Sequence, residues 1–286
     1  MAGTHIPLAA EPVFTLGSFV VTNTLVSACV ATLVFVLIAF GLRGSSAKRP
    51  GRFQLFVEMV LEGIMGFFDQ VTHDRAKTRK FLPFVGTLFL FILVSNWMGL
   101  LPGTGSIGVW HLVGGEREFI PLLRPANSDL NLTLVMALLT IVGSHVLGVA
   151  SLGWWVHLNK FIQIQAIVKA IASFSPIQIL TALVEFIVGI IELFGEVAKI
   201  ASLSLRLFGN VFAGEVLITV IASLVAYFAP LPFMALEILV GMVQAVVFST
   251  LTLVYLTIMT MVPHGHHEDE HGTESIHAVP SGQPAQ

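Results

Sequence analysis

Between residues 185 and 215, an otherwise apolar stretch carries Glu185, Glu192, Glu196, Lys199, Arg206, Asn210 and Glu215. With Glu192 set at zero on a helical wheel of about 100° per residue, Glu185, Glu196, Lys199, Arg206 and Asn210 fall within roughly 40° of it, and Glu215 lies well off the line. Ionisable groups in lipid cost roughly a few kcal/mol each, so such a stripe must face protein or water. Glu196 and Lys199 stand three residues apart and fit an intrahelical pair, with a purely structural role and a functional one equally open. Arg206 is different. Positions 202, 203, 209 and 210 are Ser202, Leu203, Gly209 and Asn210, so no acid lies one turn away on either side. A guanidinium keeps its proton inside a protein, and Arg206 therefore requires an anion from another helix or another chain.

The apolar stretch that follows offers only Glu237 and Gln244 as strongly polar groups. If it is a helix antiparallel to the first, one register brings Arg206 level with Gln244 and Glu215 level with Glu237. That register centres the hairpin near residues 225 and 226, about five before the turn signal Ala229, Pro230, Leu231, Pro232, and so requires an asymmetric connection.

These groups have to be positioned by a membrane protein. Of 286 residues, 55% are hydrophobic and 11% charged, and the mean hydropathy is +0.88. A soluble domain carries about 25% charged residues, so this chain cannot cover a globule with polar surface, and a soluble enzyme is excluded. The net charge of −3 and pI near 6.3 argue against nucleic acid as a partner. The single cysteine, Cys29, allows neither a disulfide framework nor a cysteine-based metal site.

Residues Val13 to Leu42 are free of charge and fit one retained span, not a cleaved leader. Eight of the fourteen Lys and Arg residues lie between Arg43 and Lys80, which places that stretch on the cytoplasmic side and the N-terminus outside. Within it, Phe53 to Thr72 sets Gln54, Glu58, Glu62, Asp69 and His73 on one face and Phe53, Phe56, Val60, Ile64, Phe67 and Val71 on the other. This predicts an amphipathic helix at the inner interface, its polar face either solvated or a docking surface.

Phe81 to Leu101 returns outward, Pro102 to Asp129 forms an outside loop, and Asn127, Ser128 and Asp129 supply N-cap chemistry. Leu130 to Asn159 returns inward. It carries His145, read as a packing residue in preference to a ligand. From Ile177 to Pro263 two long helices are expected. The expected architecture is an all-α polytopic membrane protein of about five membrane-embedded helices plus the interfacial one, ending in a long helical hairpin. Residues 1–262 form a single domain, and 263–286 are a disordered tail whose histidines are read as loose polar chain in preference to a metal site. No internal repeat supports an inverted-repeat transporter.

The run from Ser202 to Glu215, SLSLRLFGNVFAGE, resembles the signature of subunit a of the F-type ATP synthase. QAVVFSTLTLVYL from Gln244 resembles that family's last helix. FLPFVGTLF from Phe81 and SNWMGLLPG from Ser95 are similar to its second span, and DLNLT from Asp129 to the start of its third. The likeness covers about residues 12 to 262, with Ile200 where the family often has Pro.

The resemblance implies the stator subunit that lies against a rotating ring of c subunits and offers two offset aqueous half-channels. It also implies peripheral-stalk b subunits and the rest of the synthase as partners, in the plasma (inner) membrane of a bacterium with the C-terminus cytoplasmic. Arg206 takes the position of the essential arginine. Asn210, Glu215, Gln244 and Glu192 match polar positions of the proton path, and Glu237 falls where the family carries His or Glu. No cofactor or metal is implied. The sequence has no P-loop, so the subunit itself is expected to be non-catalytic. A self-contained transporter would need its own counter-charge for Arg206, and a passive scaffold leaves that charge unexplained.

Overall fold

The computed structural model describes residues 9–43, 51–101, 103–113, 116–162, 176–225 and 228–261. Among these are seven α-helices: α1 (Asn23–Arg43), α2 (Arg52–Thr72), α3 (Arg75–Met98), α4 (Leu130–Leu152), α5 (Trp154–Ile162), α6 (Pro176–Leu224) and α7 (Pro230–Thr260). Five of them, α1, α3, α4, α6 and α7, are long and apolar enough to cross a membrane. The molecule is an all-α, multi-pass membrane protein. The proposed tail from residue 263 lies outside the described residues.

The local chemistry explains most of the element boundaries. Asp74 caps α3 by accepting from the amides of Ala76 and Lys77, and Asp129 caps α4 by accepting from that of Asn131. Of the three residues expected to cap α4, only Asp129 does so. Asn127 and Ser128 belong to a short 3-10 turn, Ala126–Ser128, and are fully buried. The hairpin turn ends at Pro230, which opens α7 where its missing amide costs no hydrogen bond. Helix α6 runs unbroken through Ile200.

Three boundaries differ from the sequence reading. The first span begins at Asn23, because Pro12–Leu16 (β1) and Phe19–Thr22 (β2) pair as a hairpin turning at Gly17, whose φ is 64°. The outside loop contains a second hairpin, Gly108–Val113 (β3) with Glu116–Pro121 (β4). The charge-free run 130–159 is two helices, because Gly153 adopts a φ of 85° that ends α4. Helix α5 then presents Trp154 and Trp155 to the outside, the side chains that anchor at a membrane–water boundary.

The core lies where α3, α4 and α7 meet α6. Leu88, Ile92, Met136, Ala137, Leu203, Leu207, Val211, Ala245 and Phe248 form one buried cluster. A second joins α2 to the bundle through Ile64, Phe68, Phe81, Val85, Leu253 and Leu256. Only part of the apolar face of α2 is covered, since Phe53, Phe56 and Phe67 stay exposed, as suits a helix lying along lipid. The loop end of the bundle carries the two β-hairpins and the α6–α7 turn. The basal end carries α2 and α5.

Helix α6 has 49 residues. At about 1.5 Å per residue it is about 74 Å long, more than twice the ~30 Å hydrocarbon core of a bilayer. It is therefore too long for the hydrocarbon core to enclose it upright.

Candidate functional site

The polar residues of α6 fall into groups that the helical wheel does not separate. Toward the loop end, Glu215 meets Arg124, whose Nε donates to both carboxylate oxygens at 2.8 and 3.1 Å. Arg124 is 4% exposed, so this ion pair is inside the protein. It comes from the loop before α4, 91 residues away in sequence, and no local pattern announces it. One turn along α6, Asn210 Nδ2 donates to Gln244 Oε1 at 2.7 Å, and Gln244 is buried on α7.

The expected register is thus close but shifted. Gln244 meets Asn210 and not Arg206, while Glu237 lies against Gly214. A Cβ at Gly214 would overlap the Glu237 carboxylate, so glycine there is what lets an acid of α7 reach the backbone of α6. The residue numbers sum to 454 for Asn210 with Gln244 and to 451 for Gly214 with Glu237, so one antiparallel pairing rule does not hold along the whole length of the two helices.

Glu215 and Glu237 both line a cavity of about 360 Å³ at the loop end, together with Asn96, Arg124, Val211 and Thr219. Its floor is a buried polar knot. Asn127 Nδ2 donates to Asn96 Oδ1 at 2.7 Å, and Asn96 Nδ2 donates to the carbonyl of Gly241 at 3.1 Å. Trp97 Nε1 holds the carbonyl of Ile238 at 3.0 Å, tying α3 to α7 beside the cavity. Two carboxylates, a buried guanidinium and several amides around a cleft this size can order water and exchange protons with it.

Arg206 stands apart from this group. It is exposed, and its recorded contact is a long one, Nη2 to Ser202 Oγ at 3.5 Å on its own helix. It makes no ion pair among the described residues. The face around it is also open, with Ala198, Ala201, Ser202, Leu205 and Gly209 all exposed. The sequence required an anion from elsewhere. Among the described residues this chain provides none.

Toward the basal end, Lys199 Nζ lies 2.7 Å from Glu196 Oε1, as their spacing predicts. His145 has polar partners on two other helices, its Nε2 lying 3.6 Å from Glu196 and its Nδ1 3.1 Å from His157 Nε2. Glu192 is half-buried one turn before Glu196, with no side-chain hydrogen bond among the described residues. The six groups of the wheel therefore do not share one environment. Over so long a helix the stripe starts against α4 and α5 and emerges onto the open face at Arg206.

A sequence profile of the family described as ATP synthase A chain matches residues 24–257. The chain is 33% identical to the ATP synthase subunit a of Mycobacterium marinum over 257 residues, 88% of this chain and 92% of that one. It is 32% identical to that of Mycobacterium ulcerans over 251 residues, 86% and 90% of the two chains. The ATP synthase subunit a 2 of a Bradyrhizobium species is 28% identical over 250 residues, 87% and 94%. The chain belongs to the ATP synthase A chain family, the a subunits of F-type ATP synthases.

Proposed function

We propose that this subunit is the proton-translocating stator of the membrane sector, held against a rotating c ring and anchored to the peripheral-stalk b subunits. ATP chemistry then belongs to other subunits, and residues 1–262 act as one membrane-embedded domain. The cation-rich segment 43–80 sets the basal end toward the cytoplasm of a bacterium. The N-terminus is outside, the loop-end cavity opens outward and the C-terminus is inside.

The observation that carries this proposal is Arg206, a permanent cation on an open, small-residue face, with no acid of its own chain beside it among the described residues. A ring carboxylate is the anion it lacks. At about 4 Å and an effective dielectric near 20, Arg206 favours the ionised carboxylate by about 4 kcal/mol, roughly a thousandfold in its ionisation equilibrium. A ring acid that is neutral against lipid therefore gives up its proton on reaching Arg206. Lysine is a poor replacement, because a buried ammonium can lose its own proton.

The other residues divide by position. Glu215 and Glu237 line the outward cavity and relay protons between water and the ring. Asn210 and Gln244, hydrogen-bonded to each other, close the interval between that cavity and Arg206. Glu192 serves the inward side. Arg206 moves no proton, and its fixed charge repels one that would pass directly from one side to the other. The length of α6 lets one helix carry outward and inward groups past the ring at different depths.

The test is ATP-driven proton pumping in inverted membrane vesicles, comparing Arg206→Ala with the parent and checking that the other subunits co-purify. Loss of pumping in an assembled complex is expected. Unchanged pumping would remove Arg206 from the path.

A further inference from the structure

On the basal side of Arg206, four helices bring together polar groups whose joint arrangement is not used above. Along α6, Glu196, Lys199, Ser202 and Arg206 follow at three- and four-residue spacing, which sets them on one face. Lys199 bonds Glu196 at 2.7 Å and also sits 5.2 Å over the ring of Tyr255 on α7. The second oxygen of Glu196 lies 3.6 Å from Nε2 of His145 on α4. Nδ1 of His145 lies 3.1 Å from Nε2 of His157 on α5, with the two rings crossing at 81°.

Glu196 and His157 are buried, at 5% and 7% exposed, while the side chains of His145 and Lys199 are 29% and 34% exposed. Gly148 makes room for it, since a Cβ there would lie 2.8 Å from both His157 Cε1 and the Met259 carbonyl oxygen. A cavity of about 520 Å³, lined by Val142, His145, Trp154, His157, Leu193 and Glu196, adjoins the chain of groups.

The carboxylate and His157 meet opposite nitrogens of His145, so the three cannot converge on one metal ion. Among the described residues no such convergent group occurs. A linear carboxylate–imidazole–imidazole series suits proton transfer, because an imidazole takes a proton on one nitrogen while giving one up from the other. Building on Arg206 as the fixed charge of the path, we propose that Glu196, His145 and His157 are its inward port.

A proton released by the ring beside Arg206 reaches Glu196, about 15 Å along the helix at 1.5 Å per residue. From Glu196 it passes to Nε2 of His145, whose Nδ1 proton goes to Nε2 of His157. His157 Nδ1 is buried against Gly148, so its proton leaves for interior water as the ring rotates. One proton enters, one leaves, and rotation of the two rings restores the starting tautomers. The fixed charge of Lys199, with Tyr255 behind it, faces Glu196 throughout.

The experiment measures ATP hydrolysis by the assembled complex in inverted vesicles, with a protonophore present so that no gradient builds. His145→Ala and His157→Ala are each expected to lower the coupled rate roughly tenfold or more, and imidazole added to the medium should restore much of it. Arg206→Ala should stay at background with or without imidazole. If a histidine-to-alanine variant does not assemble, His145→Gln is used, which fills the space without shuttling, and the same loss is expected. Parental rates in the histidine variants beside a dead Arg206→Ala would overturn the port and leave the stator function standing. A loss in the alanine variants that imidazole does not move would make the cluster structural. A parental rate in Arg206→Ala would sink both.

Discussion

Helices α4 and α6 are both apolar enough to span a membrane, yet the protein treats them differently. In its most apolar window α4 is 39% buried within the chain, and α6 is 11% buried. Helix α4 packs one full face, with Thr133, Met136, Ala137, Thr140, Ile141, Ser144 and Gly148 buried, and exposes Val135, Val142 and Val146 on the other. Helix α6 is held through one line of contacts, chiefly Leu203, Leu207 and Val211, and leaves the face with Arg206 open. In lipid an open apolar face is ordinary, but an open arginine is not, because its burial in hydrocarbon is costly. The contrast is one of degree: α3, α4 and α7 share a core to which α6 adds Leu203, Leu207 and Val211, and the opposite face of α6, with Arg206, is the surface we propose meets the ring.

The largest expected effect tests that open face directly. Arg206→Ala should reduce proton pumping to background, a loss of about a thousandfold if the 4 kcal/mol of charge stabilisation is all removed, while the complex still assembles. Proton flux in inverted vesicles measures the first, and co-purification of the other subunits the second. Pumping within a few-fold of the parent would make the open face passive.

The next effect belongs to the enclosed side. Arg124→Ala leaves the Glu215 carboxylate in a part-buried site without its cation. Removing one partner of a buried pair costs about 3–5 kcal/mol. Thermal unfolding of the detergent-solubilised complex should therefore show a lowered transition for Arg124→Ala, with a smaller loss for Arg124→Ala combined with Glu215→Gln. Equal losses in the single and double variants would show that the pair is not coupled.

Gly214 sharpens the same comparison at the contact between α6 and α7. Gly214→Ala pushes a methyl into the Glu237 carboxylate and should destabilise by about 1–3 kcal/mol. Shortening the opposing side chain, as Glu237→Ala, should recover most of that stability without recovering full proton flux. A Gly214→Ala variant as stable as the parent would contradict the close approach of the two helices. The smallest effect is expected at Leu37 of α1, which is 61% exposed. Leu37→Ala should change stability by no more than about 0.5 kcal/mol, by the same unfolding measurement. A large loss there would reveal a partner on α1 as well.

Much of this was legible in the residues because bilayer physics imposes strong, local rules. Charge-free runs longer than about 20 residues are read as spans, so the spans within residues 13–42, 81–101 and 130–159 follow from composition alone, while their ends at Asn23, Arg75 and Leu152 do not. The interfacial helix α2 follows from its two-faced pattern. The isolation of Arg206 follows from counting residues one turn away. Glu196 and Lys199 pair as their spacing requires. The family signature around Arg206 pointed to the same residues, and the family profile spans that signature.

What the sequence could not supply is the company each polar group keeps across the fold. Arg124 reaches Glu215 from a loop 91 residues away, and Asn127 leaves its expected capping role for a buried bond to Asn96. The sequence named no partner for His145, which the fold sets beside His157 of α5 and Glu196 of α6. Periodicity reports the face of a helix on which a residue lies, and it is blind to which neighbour that face meets. That choice is made by the crossing of helices. The packing of α6 turns one predicted stripe into a buried basal group at Glu196 and an open arginine at Arg206. The sequence by itself determined that this protein lives in a membrane and that Arg206 needs an anion from outside its own helix. Only the packing of α6 across the bundle decided that, among the described residues, no acid of this chain supplies it.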